Sequence, residues 1–173
     1  MYTFRIAIIN DLADIVALVE SAYRGEASRE GWTTEADLLD GQRTDAHEVT
    51  RLIENKSSCI ILCEKNNQLI ACVHLLNKHK YGYLGMFAVN PQEQGNGAGK
   101  LLLAEAEKIV FHQWHCPSLR MAVISLREDL IAWYERRGYK ANGELMPFPY
   151  GDERYGIPRR DDLVLSVLEK VKS

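Results

Sequence analysis

The sequence predicts a mixed α/β fold, one central sheet with helices on both faces. Three observations carry that reading. Apolar strand candidates and stretches at helical spacing follow the order β-α-α-β-β-β-α-β-α-β-β, which is not a repeated βαβ array. A glycine-rich loop, Gln94 to Lys100, separates an apolar strand from an amphipathic helix. The 173 residues show no internal repeat and no low-complexity linker. They make one domain, 1–173, large enough to bury a core without disulfides or metal.

The elements are read in chain order. Phe4-Arg5-Ile6-Ala7-Ile8 alternates as a first strand does. Asn10 offers an N-cap, and Leu12, Ile15, Val16, Val19, Ala22 and Tyr23 recur at helical spacing, predicting a helix to Arg24. Gly25–Gly41 has no clean period. Thr44 or Asp45 restarts a helix in which Ala46, Val49, Leu52 and Ile53 share a face. Two strands, Cys59–Cys63 and Leu69–Leu76, flank a hairpin turn at Asn66-Asn67. A second hairpin near Lys78–Lys80 leads to a strand over Tyr81–Val89. Beyond the glycine loop, Leu102, Leu103, Ala106, Ile109, Val110 and Trp114 stripe a helix that Pro117 ends. Leu119–Ser125 reads as a strand, Asp129–Arg137 as a short helix closed by Gly138, and Tyr139–Ala141 as strand. A long loop is expected over Gly143–Arg160, then a final strand over Leu163–Leu168.

The glycine loop is the stretch that speaks to chemistry. Such a loop brings backbone N–H groups together at a helix N-terminus, where unpaired donors and the helix dipole attract an anion. Its spacing weakens two common identities. A Walker loop would need Gly at Gln94 and Ser or Thr at Leu101. The dinucleotide fingerprint would need Gly or Ala at Lys100 and a start directly after a strand, but Asn90–Gln94 intervenes. What fits is V-x-P-x-x-Q-G-x-G-x-G, from Val89 to Gly99. This resembles the acyl-CoA-binding motif of the GNAT superfamily of N-acyltransferases, here Gln94, Gly97 and Gly99. A second stretch, Leu130-Ile131-Ala132-Trp133-Tyr134-Glu135-Arg136-Arg137-Gly138-Tyr139, is similar to a later motif of the same family. The element order also matches, so the resemblance spans essentially the whole chain. It implies a single GNAT-like domain with a mostly antiparallel central sheet, and acetyl-CoA as co-substrate with no metal.

The resemblance also implies site residues. Backbone groups of Phe87, Ala88 and Val89 would pair with the pantetheine arm as an added strand, one N–H polarising the acyl carbonyl. Gln94, Gly95, Asn96, Gly97, Ala98, Gly99 and Lys100 would cradle the pyrophosphate. Tyr134 matches the family's general acid, a phenol that donates to the thiolate as charge develops. Alternatively, Tyr134 merely packs with Leu130 on one helix face. Arg127 stands seven residues before Tyr134, where many relatives carry an Asn contacting CoA, and an arginine there could reach a CoA phosphate or carbonyl. Some relatives carry a Glu base on the strand after the long helix, and the matching residue is Ala122. His74 is the best substitute by type, a structural histidine the alternative. Water-relayed transfer to Glu35 or Glu48 is the other route.

The acceptor region is expected between the first two helices. From Glu26 to Glu54 the chain carries eight Asp/Glu and three Arg, so an acidic wall with Trp32 and Glu35 would suit a cationic amine. The Gly143–Arg160 loop, with Tyr150, would close from the other side. Balanced charge, 21 basic against 24 acidic residues with no basic run, argues against nucleic-acid or membrane-surface partners. No apolar run approaches a membrane span and no signal-peptide pattern is present. Cys59, Cys63, Cys72 and Cys116 form no C-x-x-C pair, so reduced thiols in a cytoplasmic protein are expected. The reading is an acetyl-CoA-dependent N-acetyltransferase using direct transfer to a primary amine, small or peptidic, as monomer or homodimer. A non-catalytic acyl-CoA sensor is the alternative, and a nucleotide binder a third.

Overall fold

Asn66 and Asn67 both take positive φ, 53° and 62°, the conformation a two-residue hairpin turn needs. They join β3 (Ser58–Lys65) to β4 (Gln68–Asn77) in the computed structural model, which describes residues 1–173. Around this hairpin run β1 (Tyr2–Ile6), α1 (Leu12–Tyr23), β2 (Leu39–Asp40) and α2 (Ala46–Glu54) on the N-terminal side. On the other side follow β5 (Gly82–Val89), α3 (Ala98–Lys108), β6 (Ser118–Ile124), α4 (Glu128–Glu135), β7 (Lys140–Pro147), β8 (Ile157–Pro158) and β9 (Val164–Val171). Seven strands form one sheet in the order β1-β3-β4-β5-β6-β9-β7. All its pairings are antiparallel except β5 with β6. The mixed, mostly antiparallel sheet predicted from the sequence is the one observed.

Side chains alternate between two cores, as a sheet covered on both faces requires. Ile61 and Cys63 of β3 join the larger core under α3, while Ile60 and Leu62 join the smaller one under α1 and α2. On β5 that alternation breaks. Leu84 lies in the larger core, yet Met86 and Ala88 lie in the smaller one, and Val89 returns to the larger. Residues two apart should share a face, so one extra residue has been inserted. Met86 sits at φ 48°, and β4 and β5 lose one step of register between Cys72↔Ala88 and His74↔Gly85. This is a β-bulge, and it bends the strand.

The bend has a consequence for β6. The parallel ladder holds only Gly82↔Leu119 and Tyr83↔Arg120. Past that point the two strands part, and the β5 edge facing β6 carries no ladder. Gly82 lets this end of β5 pack closely on Val110, since a Cβ there would meet that side chain at 2.5 Å.

Some expected boundaries move. The first strand ends at Ile6, and Ile9–Asp11 makes a tight turn before α1, so Asn10 does not cap the helix. Asp11 holds that turn, accepting from the Ile8 N–H at 2.8 Å and pairing with Arg5. Asp45 does cap α2, accepting from the Glu48 N–H at 2.8 Å. The long loop expected over Gly143–Arg160 is shorter than that. Strand β7 continues to Pro147 through a bulge at Asn142-Gly143, and β8 pairs with β2 in a separate two-stranded ribbon.

Candidate active site

Two cavities of about 590 Å³ each open beside the parted strands. The first lies between the end of β5, the glycine loop and α4. Gly95 (φ 86°) and Gly97 (φ 90°) hold left-handed conformations that only glycine adopts without strain. Nothing stands within 4 Å of where their Cβ atoms would be, so the loop offers bare backbone to the cavity. Gly97 is the N-cap of α3, so the helix's unpaired N–H groups start there. Lys100, Arg136 and Arg137 line this cavity against Glu93 and Asp129, an excess of positive charge suited to a phosphate chain.

Aromatic side chains make its apolar wall. The Trp133 ring centroid lies 5.9 Å from that of Phe87, 6.4 Å from Trp32 and 5.1 Å from Tyr134. The Arg137 guanidinium stacks 3.7 Å from the Trp133 centroid. Sequence reasoning did not single out Trp133. Its position in the second motif, next to Tyr134, was the available signal.

Gln94 serves the cavity through its neighbours. Its Oε1 accepts from the Trp32 N–H at 2.8 Å, and its Nε2 donates to the Thr33 hydroxyl at 2.8 Å and the Val89 carbonyl at 3.1 Å. It therefore ties the glycine loop to the segment after α1. Gly31 is forced by this packing, as a Cβ there would meet the Gln94 side chain at 2.5 Å. Asn96 donates to Glu93 at 3.3 Å, and the Ala98 and Ala88 side chains are buried in the two cores. Trp32 stands in this first cavity, not beside an acidic wall.

The second cavity lies on the other side of the splay, lined from α1, α2, β4, β5, β6 and the chain around Phe148. Tyr23, Phe87 and Leu130 line both cavities, so the two meet there. The Tyr23 hydroxyl donates to the Phe87 carbonyl, fixing this junction. Burial pushes its phenol up to about 12.

Tyr134 is buried and lines the second cavity beside that junction. Burial, with the neighbouring Tyr23 adding to it, holds its phenol protonated well above its ordinary range. Glu35 is buried between two arginines, paired with Arg24 and with Arg127 at 3.1 Å. Burial alone would raise its carboxyl, but the charges of Arg127 and Arg24 outweigh that and hold it low. Arg127 also donates to the Thr33 carbonyl. It lines the second cavity and not the first. That placement sets it apart from the glycine loop with which the resemblance grouped it.

His74 lines the second cavity with its Nε2 2.7 Å from the Ser58 hydroxyl, and burial brings its pKa down to about 4. Glu48, one turn before Leu52 on α2, lines the same space, and burial raises its carboxyl. Tyr150 lines neither cavity. Its hydroxyl donates to the Arg160 carbonyl at 3.1 Å and accepts from the Leu163 N–H at 2.8 Å, closing its own loop.

The expected acidic wall does not face the second cavity. Four arginines line it, Arg24, Arg43, Arg51 and Arg127, against Glu35 and Glu48 only. Most of the other acids of that segment are engaged at the surface. Glu26 and Asp37 pair with Arg29, Asp40 with Arg159, and Asp45 caps α2. No cysteine lines either cavity, and burial raises the thiol of Cys72 to about 12.

Comparison with known proteins decides the family. Residues 14–139 match the model of the acetyltransferase (GNAT) family. The chain belongs to that family. It is therefore an acyltransferase of the expected N-acetyltransferase class. It is 27% identical over 147 residues to an S-alkylcysteine N-acetyltransferase of Bacillus subtilis (strain 168), covering 79% of this chain and 78% of that one. It superposes on the ribosomal-protein-S18-alanine N-acetyltransferase of Escherichia coli with a TM-score of 0.74 at 16% identity, covering 100% of this chain and 95% of that one. It also resembles an acetyltransferase of Bacillus anthracis solved in complex with acetyl coenzyme A, with a TM-score of 0.59 at 19% identity, over 72% and 68% of the two chains.

Proposed function

We propose that this GNAT enzyme moves an acetyl group from acetyl-CoA directly to an amine seated in the second cavity. The observation that carries the proposal is the junction of the two cavities at Tyr23, Phe87 and Leu130. A thioester lying along the free β5 edge meets an amine approaching from the opposite side, and holding both there supplies much of the rate. The amine nitrogen attacks the thioester carbonyl. A nitrogen–carbon bond forms, the carbon–sulfur bond breaks, and the amine gives up a proton.

In this reading the backbone of Phe87, Ala88 and Val89 takes the pantetheine arm, and the amides from Gly95 to Lys100 take the pyrophosphate, with Lys100 adding charge. Gln94 acts by holding the loop in place. Tyr134 stabilises the departing sulfur. Its burial makes it a reluctant acid, so its hydrogen bond strengthens as charge builds on sulfur and the proton follows. For the base we prefer Glu48, through water, to His74. An imidazole lowered to about 4 gives a captured proton back at once, whereas burial, outweighing the nearby charges of Arg43 and Arg51, raises Glu48 toward the range where a carboxylate accepts one. Arg127 is assigned to the acceptor side. All four cysteines are free, which suits a cytoplasmic setting.

Thermal unfolding with acetyl-CoA, CoA, ATP or NAD tests the reading. A ligand at about 100 times its Kd stabilises the fold by about 2.7 kcal/mol. Stabilisation by both CoA species alone, with CoA released when an amine is added, is the expected result. Stabilisation by ATP or NAD and not by acetyl-CoA would sink the proposal. Binding without CoA release for any amine would mark a sensor instead.

A further inference from the structure

The acceptor cavity holds two guanidinium groups that no salt bridge engages, and its four arginines outnumber its two carboxylates, Glu35 and Glu48, by two. Arg24 and Arg127 share Glu35, while Arg43 and Arg51 make no ion pair and donate no side-chain hydrogen bond. Both are positioned by the fold. The N–H groups of Arg43 and Thr44 donate to Glu20 Oε1 at 2.6 and 2.7 Å, which fixes the chain just before α2. The Arg43 guanidinium then lies 5.7 Å from the centroid of Tyr23, the residue at the cavity junction. Arg51 stands on α2 with Glu48 and Leu52, three residues before it and one after, and all three line the cavity. Opposite them the wall is apolar, with Leu76, Met121, Phe148 and Leu165 among its residues.

Resting on the acetyl-transfer reading, we infer that the acceptor is an amine that also carries a carboxylate and an apolar side chain, as an apolar α-amino acid does. Arg43 and Arg51 hold the carboxylate, the amine faces the junction beside Tyr134, and the side chain lies along the apolar wall. A polycation is a poor fit, because it would bring further positive charge against a lining of four arginines and two glutamates. A carboxylate answers Arg43 and Arg51, since guanidinium groups match its geometry and charge.

The test uses the full chain with acetyl-CoA and follows CoA release. The probes are L-methionine and S-methyl-L-cysteine, each beside its methyl ester and its decarboxylated amine, with spermidine as the polycation. The free amino acids should exceed their esters and amines in kcat/KM by about 10-fold or more. Arg43→Gln and Arg51→Gln should each raise the amino-acid KM about 10- to 100-fold and pull the carboxylate preference toward one. Arg43→Lys and Arg51→Lys should restore part of it, a response a merely structural role would not give. Equal or better turnover of the esters, the amines or spermidine would overturn the inference. So would an absence of turnover with every amino acid while acetyl-CoA still stabilises the fold, leaving acetyl transfer itself standing. If acetyl-CoA fails to stabilise the wild-type chain, the acetyl-transfer reading falls and the inference with it.

Discussion

The two cavities are built in different ways. The first is nearly local, since most of its lining comes from two stretches, Phe87–Lys100 and Asp129–Arg137. The second collects short pieces spread from Tyr23 to Leu165, which only the fold brings together. A surface that must present backbone N–H groups to an anion needs glycines at fixed spacing and a helix start, and these can be written in one segment. A pocket for a particular acceptor needs side chains whose mutual placement only the packed sheet provides. The first cavity is therefore expected to answer to local changes in backbone and aromatic wall, and the second to changes in charge.

The largest effect should come where the cavities meet. Tyr134→Phe should lower kcat by about 10²- to 10⁴-fold while leaving the affinity for acetyl-CoA intact, measured by steady-state kinetics and calorimetry. A kcat within a few-fold of wild type would show that Tyr134 only packs there.

Next is the charge set of the second cavity. Glu35→Ala leaves Arg24 and Arg127 buried without their countercharge and should cost about 3 to 5 kcal/mol of stability in denaturant unfolding. The Glu35 carboxyl is held low in the folded state, so its contribution is full above the ordinary carboxylate range and fades as pH falls through the folded value. Wild type should lose stability there, and Glu35→Gln, destabilised at neutral pH, should show a flatter acid limb.

His74 gives a signal in a different window. Its folded pKa of about 4 lies below the unfolded value near 6.5. The unfolded chain then binds the proton first as pH drops. Stability should fall from about pH 6.5 to about pH 4, by roughly 3 kcal/mol in all, and stay level in His74→Asn over that window apart from the carboxylates. A pH-independent difference between the two proteins would mean the ring is not shielded.

The smallest effect belongs to the first cavity. Gly97→Val forces a β-branched residue to φ 90° and should cost about 1 to 3 kcal/mol in stability, with weaker CoA binding. Retention of full CoA affinity would separate the loop's shape from its function.

These contrasts follow how much of the molecule its sequence disclosed. Asn66-Asn67, the caps at Asp45 and Gly138 and the helix after Gly97 rest on interactions within a few residues, so local patterns found them. Strand β7 was cut short because Asn142-Gly143 has the chemistry of a turn, whereas pairing with β9 absorbs it as a bulge on an edge strand. Tyr23 read as one more apolar position of α1, and nothing local says that its hydroxyl meets the Phe87 carbonyl across the sheet.

By itself, the sequence determined the class of fold, the glycine loop at the start of α3 and the second motif that carries Tyr134. Each depends on spacing along one strand, loop or helix. Only the tertiary structure decided the acceptor side. A bulge at Met86 turned the end of β5 away from β6, and the space it opened is lined by residues far apart in the chain. The acidic segment that suggested a cationic acceptor spends most of its carboxylates on surface pairs, a helix cap and one buried pair of arginines. Charge counted along a chain does not predict charge facing a cavity, because folding chooses which side chains meet and which ones cancel.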